Sequence, residues 1–526
     1  MSDSFENSRI GQIDTQWRNA GDFVLHFNLE EGTVPMNQHS NYITDLSNGP
    51  ILSQLVYFSF PLLLGNLFQQ LYNSMDFLIV GRVCGNAAQA AVSASTSIVN
   101  LLISFTQGFA VGAGIVISLH FGAKTYDQMR SSIHTAVVLG TGLGMLVTIM
   151  GFVFSHPILT MIKTPPEALE EATAYFQILS IGLFFMVMYN VGSGIFRALG
   201  DNRHPLYSLI LSVILNTILD LILVAGFHMG VRGAAFATII AQGASVASEY
   251  LVLFRTDDSY RLNWSELRVD VKQLRTILEN AFPSAVQNCI VSLSNVVVQA
   301  NINQFGELAM AGFGSYTKLA SFAVLPATSM SLSLTTFVGQ NRGAQHYSRT
   351  KKGVQYGLVL ISTITMVIGL GMVVFARPLI GLFNSDPAVI KYGIMMCRRA
   401  GPFLIFLGLS HALTGALRGA GYAKIPLAVL TVSWCLIRVI WILGLSLVWN
   451  DIRIIYWSYP ITWLCSTGVL FVFYPKICSA MDTYDNRDKI DNMDVEASPR
   501  NVETPSAPNG SPPAAESHRT EYQRRF

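Results

Sequence analysis

Twelve times along its length the chain runs predominantly apolar for more than twenty residues. These stretches lie near 52–80, 88–119, 132–154, 171–195, 205–226, 231–254, 275–303, 309–338, 354–375, 391–415, 425–449 and 454–475. At ~1.5 Å per residue, a helix of about 20 residues crosses the hydrocarbon of a bilayer. No water is there to satisfy the backbone, so such runs must fold as helices. Charged residues make up 13% of the chain, about half the share of a soluble domain, and the mean hydropathy is +0.42. The expectation is an all-α polytopic membrane protein of twelve transmembrane helices.

The flanks differ in character. Residues 1–49 read as a flexible N-terminal extension, and residues 479–526, rich in Pro, Ser, Asp and Glu, as a disordered tail. No basic-then-apolar pattern opens the chain, so targeting falls to the first span. The six Cys show no CxxC spacing and no Cys/His cluster, which speaks against a metal centre or a disulfide frame. A formal charge of +2 gives nucleic acid nothing to hold.

The twelve stretches form a repeat. Phe60, Pro61, Asn66 and Asn73 recur 222 residues later as Phe282, Pro283, Asn288 and Asn295. Gly122, Ala123 and Tyr126 return as Gly343, Ala344 and Tyr347, and Gly194, Arg197, Gly200 and Pro205 as Gly415, Arg418, Gly421 and Pro426. Two six-helix lobes follow, residues 50–254 and 276–478, joined by a loop at 255–275. An even number of spans per lobe gives both the same orientation, a parallel repeat about an axis along the membrane normal. Fifteen Lys and Arg fall in the even-numbered connections and eight in the odd-numbered ones. The positive-inside rule then places both termini in the cytoplasm.

Charge within the spans is rare and costs about 2.5–3.5 kcal/mol per group on insertion scales. In the first span, FPLLLGNLFQQLYNSMDFLIVGR, Asp76 lies five residues before Gly81, with Tyr72 on the turn before. In the fifth, Asn216 and Asp220 are four apart and share a helical face. Counting ~1.5 Å per residue from the span ends puts Asp76, Asp220 and Thr238 of the sixth span at one depth. Two carboxylates, an amide and a hydroxyl there suit a small cation such as Na⁺, or two acids that share a proton. The acids belong to the first half only, since Asp76 aligns with Val298 and Asp220 with Trp441.

Lys318 in the eighth span and Arg438 in the eleventh are candidate cavity cations, and Arg438 sits next to the repeat counterpart of Asn216. Glu249, near the end of its span, is expected to reach water. Pro283, Pro326 and Pro402 are expected to break or bend helices. No HExxH, GxSxG or acid-rich phosphate motif is present, so an enzyme is not expected.

At these residues the chain resembles the multidrug and toxic compound extrusion (MATE) family. The matching stretches are LFQQLYNSMD in the first span, FRALGDNRHP and NTILD at and in the fifth, TTFVGQNRGA after the eighth and ALRGAGYAKIP before the eleventh. The resemblance covers about 50–478. It implies a cell-membrane antiporter, coupled to H⁺ or Na⁺ and without another cofactor, that exports amphipathic and often cationic small molecules by alternating access. In the prokaryotic branch with its ion site in the first lobe, that site maps onto Asp76, Asn216 and Asp220, with Tyr72 and Thr238 as neighbours. Another branch uses a seventh-span Glu, where this chain has Gln287, Asn288 and Asn295, which read instead as cavity residues. The alternative is a lipid-linked saccharide flippase of a related fold. The bilayer and a small-molecule substrate are the expected partners, and a monomer the expected state.

Overall fold

The computed structural model describes residues 43–161, 166–449 and 451–497; within its helices the side chains of residue 73, of 75–98, of 166–168 and 171, and of most residues after 475 also lie outside the description. Every regular element among the described residues is helical. The spans are α1 (Ile51–Tyr72), α2 (Val99–Gly122), α3 (Tyr126–Val153), α4 (Pro166–Ala198), α5 (Arg203–Gly226), α6 (Gly230–Arg255) and α7 (Val271–Asn303). They continue with α8 (Glu307–Gly343), α9 (Tyr347–Val374), α10 (Pro387–Gly419), α11 (Lys424–Ser446) and α12 (Ile452–Ala497). The twelve-helix, two-lobe architecture read from the sequence is the one observed.

Backbone hydrogen bonding is helical from Ile51 through Gly122. A straight helix of that length would be on the order of 100 Å long. Yet Gln340 meets both the segment that leads into it and its far end: the amide of Leu46, five residues before Ile51, bonds the Gln340 side chain at 2.9 Å, and Gly122 lies against its carbonyl. The run therefore folds back between α1 and α2, which makes two spans of it.

Lipid tails are as apolar as leucine, so helices in a bilayer associate through close packing and interhelical hydrogen bonds. The repeated glycines show where. A Cβ on Gly122 would lie 1.9 Å from the carbonyl oxygen of Gln340, and one on Gly343 2.0 Å from that of Leu119. These two contacts are the same contact seen from each lobe, since Gly343 repeats Gly122 and Gln340 repeats Leu119. Gly194 against the Ala110 carbonyl and Gly415 against that of Ser331 form a second matched pair. The seam between lobes is thus α2 on α7 and α8, with α1 on the inner half of α8.

At one end of this seam residues 43–49 form a strap, which corrects the flexible reading of 1–49 for this part. Residues 1–42 lie outside the described residues. Leu46 is fully buried. Its carbonyl accepts from Asn341 Nδ2 at 3.0 Å, while Thr44 N donates to the Gly200 carbonyl and Gln340 Nε2 to that of Ala198. Arg349 donates to the carbonyls of Gly49 and Asn48 and to Gln54 Oε1. Burial opposes ionisation of Asp45, but hydrogen bonds from Ser47 and Asn48, with the charge of Lys124, outweigh it and hold the carboxyl below its ordinary range. The strap therefore ties the first lobe to the second.

α8 breaks at Val324, and Pro326 opens its second half. The first half, Glu307–Ala323, packs on α7, α9 and α10. Thr317 and Lys318 on this half are exposed, as is Asn295 on α7. Such polar faces do not suit lipid and mark a cleft between the lobes at this end. Pro402 sits in a 3₁₀ turn, Gly401–Phe403, that divides α10, whereas Pro283 is accommodated inside α7.

Two further boundaries differ from the sequence reading. The helix of α12 continues to Ala497, past 478. Asp485 and Lys489, and Arg487 and Asp491, are spaced by four, which favours a solvated helix; residues 498–526 lie outside the described residues. The 255–275 loop docks on α3, with Leu262 buried, Asn263 N donating to His134 Nε2 and Arg130 paired to Glu266 at 3.0 Å.

Candidate functional site

The polar face of α5 is longer than the Asn216–Asp220 pair. Ser208, Ser212, Asn216 and Asp220 follow one another every four residues, so they stack along one side of the helix. All four are buried, and Asp220 is 0% exposed. The helix begins after Asp201, whose Oδ1 accepts from the amides of Arg203 and His204. Directly after Asp220 the backbone widens into a π-helix, Leu221–Gly226. Wide turns of this kind often occur at functional positions, because they re-aim side chains and loosen the ladder.

α6 supplies the other wall. Thr238 is buried, and its Oγ1 accepts from the Tyr72 hydroxyl at 3.3 Å, so α1 and α6 meet at these two residues. Asn216 Nδ2 is buried and finds no acceptor among the described residues. An amide in that condition costs roughly 1–3 kcal/mol, and its retention fits a place where a ligand comes and goes. Asp76 lies on the helical run through Ile51–Gly122, but its side chain is outside the described residues.

The second lobe is built differently. Arg438 follows the π-helix Thr431–Ile437 of α11 and is 1% exposed. Its guanidinium donates to Thr462 Oγ1 at 3.0 Å, Asn295 Oδ1 at 3.3 Å and Ser294 Oγ at 3.4 Å, and lies 4.5 Å from the centre of the Tyr459 ring. Neutral oxygens and an aromatic face hold this charge; no carboxylate pairs with it among the described residues. Of the cavity candidates, the structure brings Asn295 to Arg438. Asn288 lies on the seam instead, donating to the Ser104 carbonyl at 3.1 Å and accepting from Arg418 at 3.4 Å. Gln287 is buried, with Oε1 unpaired among the described residues, and Lys318 stands apart, exposed, on α8.

One expectation fails outright. Glu249 does not reach water; it is 0% exposed. Its Oε1 accepts from Ser193 Oγ at 2.7 Å, and its other oxygen lies against Gly192. Distance from the span end suggested water, but the helical face decided burial: Glu249 shares a side of α6 with Thr238 and Ser245, both buried. Arg197 and Arg418 were recognised as repeat anchors and not as lining residues. Arg197 turns out to line a small void between α2, α4 and α8.

Comparison with known proteins bears on this arrangement. A family model described as MatE matches residues 61–222 and again 283–442, one copy per lobe. The probable multidrug resistance protein YpnP of Bacillus subtilis (strain 168) is 30% identical over 401 residues, covering 75% of this chain and 88% of that protein. Among solved structures, a MOP superfamily transporter from Pyrococcus furiosus, described as having a binding pocket of reverse polarity, superposes with a TM-score of 0.78 at 22% identity. The match covers 83% of this chain and 98% of that one. A multidrug resistance MATE family transporter in an outward-facing conformation gives 0.78 at 22% identity, covering 84% and 99%. At that identity the likeness is one of fold.

Proposed function

Because the chain belongs to the MatE family, the multidrug and toxic compound extrusion transporters, we propose that it is a cation-coupled antiporter that exports amphipathic, often cationic, small molecules by alternating access. It is a membrane transporter and not an enzyme. The observation that supports the coupling is the buried face of α5 that carries Asn216 and Asp220, with the Tyr72–Thr238 contact between α1 and α6 beside it in the same lobe. A carboxylate there is shielded from water, where binding a proton or a cation is the chemistry best suited to it. Asp76, Asp220, Asn216 and Thr238 supply the hard oxygens that Na⁺ would need. With the strap end in the cytoplasm, as the Lys and Arg distribution has it, the cleft faces outward. Alternating access then requires the strap and the α2–α8 seam to release. A cation drives that exchange only by binding the two forms unequally.

The multidrug designation of YpnP supports the substrate class. The test is flux of an amphipathic cationic dye, ethidium, in proteoliposomes with Na⁺ and H⁺ gradients imposed separately. One of the two gradients should drive uptake against the ethidium gradient in wild type and fail to do so in Asp76→Asn and Asp220→Asn. Gradient-independent flux in wild type would refute the coupling; wild-type coupling in either variant would refute the site.

A further inference from the structure

The second lobe holds a buried cation and no acid at its depth. Between Asn280 and Met481 the sequence has three acids, Glu307, Asp386 and Asp451. Glu307 opens α8, Asp386 caps the start of α10 and Asp451 precedes α12, so all three stand at span ends. Arg438 lies eight residues before Ser446, the last residue of α11, or ~12 Å of helix inside it. Taking a guanidinium out of water costs several kcal/mol, which only a close partner charge or a full set of hydrogen bonds offsets.

That set is incomplete. A guanidinium offers five N–H groups. Nη2 donates to Thr462 at 3.0 Å, Nη1 reaches Asn295 Oδ1 at 3.3 Å and Ser294 Oγ at 3.4 Å, and the buried Nε has no acceptor among the described residues. Bonds from a guanidinium to a carboxylate run to about 2.7–2.9 Å. The Nη1 bonds are longer, so a carboxylate oxygen would be a stronger acceptor there than the amide it displaced. Asn295 is also the way in. Asn288, Ser292 and Asn295 follow at spacings of four and three, on one face of α7. Asn288 and Ser292 meet Ser104 of α2 at 3.1 and 3.0 Å, where the lobes touch. One turn further along that face Asn295 is exposed, while its Oδ1 covers Arg438. Its side chain is therefore the wall between the cleft and the guanidinium, and turning the amide aside bares Nη1.

We propose that Arg438 anchors an anion site in the cleft wall of the second lobe, which takes the carboxylate of a transported molecule. The carboxylate replaces Asn295 Oδ1 at Nη1, while Thr462 and the Tyr459 ring, 4.5 Å away, keep the guanidinium in place. Zwitterionic and anionic amphiphiles are the molecules suited to it. The inference rests on the reading of the chain as an exporter of amphipathic small molecules and adds a substrate class to the cationic one.

The experiment uses the full chain and two rhodamine dyes with one fluorophore: a zwitterion with a free carboxylate, and its methyl ester, a cation. Binding is read by fluorescence anisotropy in detergent and uptake in proteoliposomes, for wild type, Arg438→Gln, Arg438→Lys and Asn295→Ala. Wild type should bind and take up both dyes. Arg438→Gln should weaken the carboxylate dye roughly tenfold or more relative to its ester, the scale of a hydrogen bond to a charged group. Arg438→Lys keeps the charge without the planar fork and should recover part of that ratio. Asn295→Ala removes the competing acceptor, so the carboxylate dye should bind at least as tightly as in wild type. An unchanged ratio of affinities in Arg438→Gln would overturn the proposal. So would an equal loss of both dyes in both Arg438 variants, which would make the residue structural, or loss of the carboxylate dye alone in Asn295→Ala, which would make the amide its ligand. If wild type takes up neither dye, the export reading fails and this one with it; if it takes up the ester and does not bind the carboxylate dye, this one fails alone.

Discussion

α5 and α11 occupy equivalent places in the two lobes, and each carries a π-helix near its polar group, yet their chemistry is opposite. On α5 the buried face ends in Asp220, the acid proposed to take up the coupling cation. On α11 the neighbouring register holds Arg438, a positive charge already present and tethered to the chain, held by Asn295, Thr462 and Tyr459. In the proposed mechanism one lobe borrows a cation, while the other carries its own in Arg438. Two halves descended from one pattern can therefore share a seam and divide the labour, with ion dependence confined to the half whose charge is removable. The Gly122–Gln340 and Gly343–Leu119 contacts show the shared part.

The largest effect should come from removing the borrowing group. Asp220→Asn keeps size and one hydrogen-bonding end but can neither hold an exchangeable proton nor attract Na⁺. Gradient-driven flux should fall about a hundredfold, near the top of known coupling factors, ~2.7 kcal/mol. The protein should still reach the membrane in normal amount, measured by quantitative blotting. Ordinary driven flux in this variant would erase the distinction between the lobes.

Next in size are the symmetric contacts. Gly122→Ala and Gly343→Ala each push a methyl group into a facing backbone carbonyl, an overpacking cost of about 1–3 kcal/mol. Because the two contacts are repeat images, thermal stability in detergent should drop by similar amounts in both variants. A drop in one alone would mean that the seam is as asymmetric as the sites.

Arg438→Gln should matter less and differently. It removes a fixed charge while leaving the first-lobe site intact. The apparent affinity for cationic dyes relative to neutral ones should shift roughly tenfold, ~1.4 kcal/mol, with the pH and Na⁺ dependence of flux unchanged. A changed ion dependence would show that the tethered charge takes part in coupling.

The sequence disclosed the spans and the repeat because hydrophobic run length and recurring Gly, Pro and Asn anchors are imposed by the bilayer and by close helix contact. It disclosed Asn216 and Asp220 because carboxylates and amides stand out in an apolar helix. Ser208 and Ser212 passed unnoticed on the same face, since serine is common in membrane helices and its burial depends on what packs opposite. Distance from the span end points Glu249 toward water, whereas the helical face it shares with Thr238 and Ser245 decides its burial. Leu46 carried no local signal at all. A single apolar residue among polar neighbours has no period, and only its long-range partners, Gln340 and Asn341, reveal that it is buried.

The smallest expected effect belongs to Asn216, and it sharpens the comparison most finely. Its repeat neighbourhood holds Arg438, so Asn216 marks where one lobe kept a neutral group and the other placed a charge. Asn216→Ala removes an amide whose nitrogen already lacks an acceptor, so little hydrogen bonding is lost in the resting site. What is lost is one neutral ligand to the bound cation, or one partner that orients Asp220, worth about 0.5–1.5 kcal/mol. Driven flux should fall roughly three- to fivefold, with the concentration of driving ion at half-maximal flux raised by a similar factor and the maximal rate nearly kept. Titrating flux against Na⁺ and against pH in proteoliposomes separates the two. A loss as large as that of Asp220→Asn would make the amide, and not the carboxylate alone, the seat of coupling, and the contrast with Arg438 would then lie at this position instead of at Asp220.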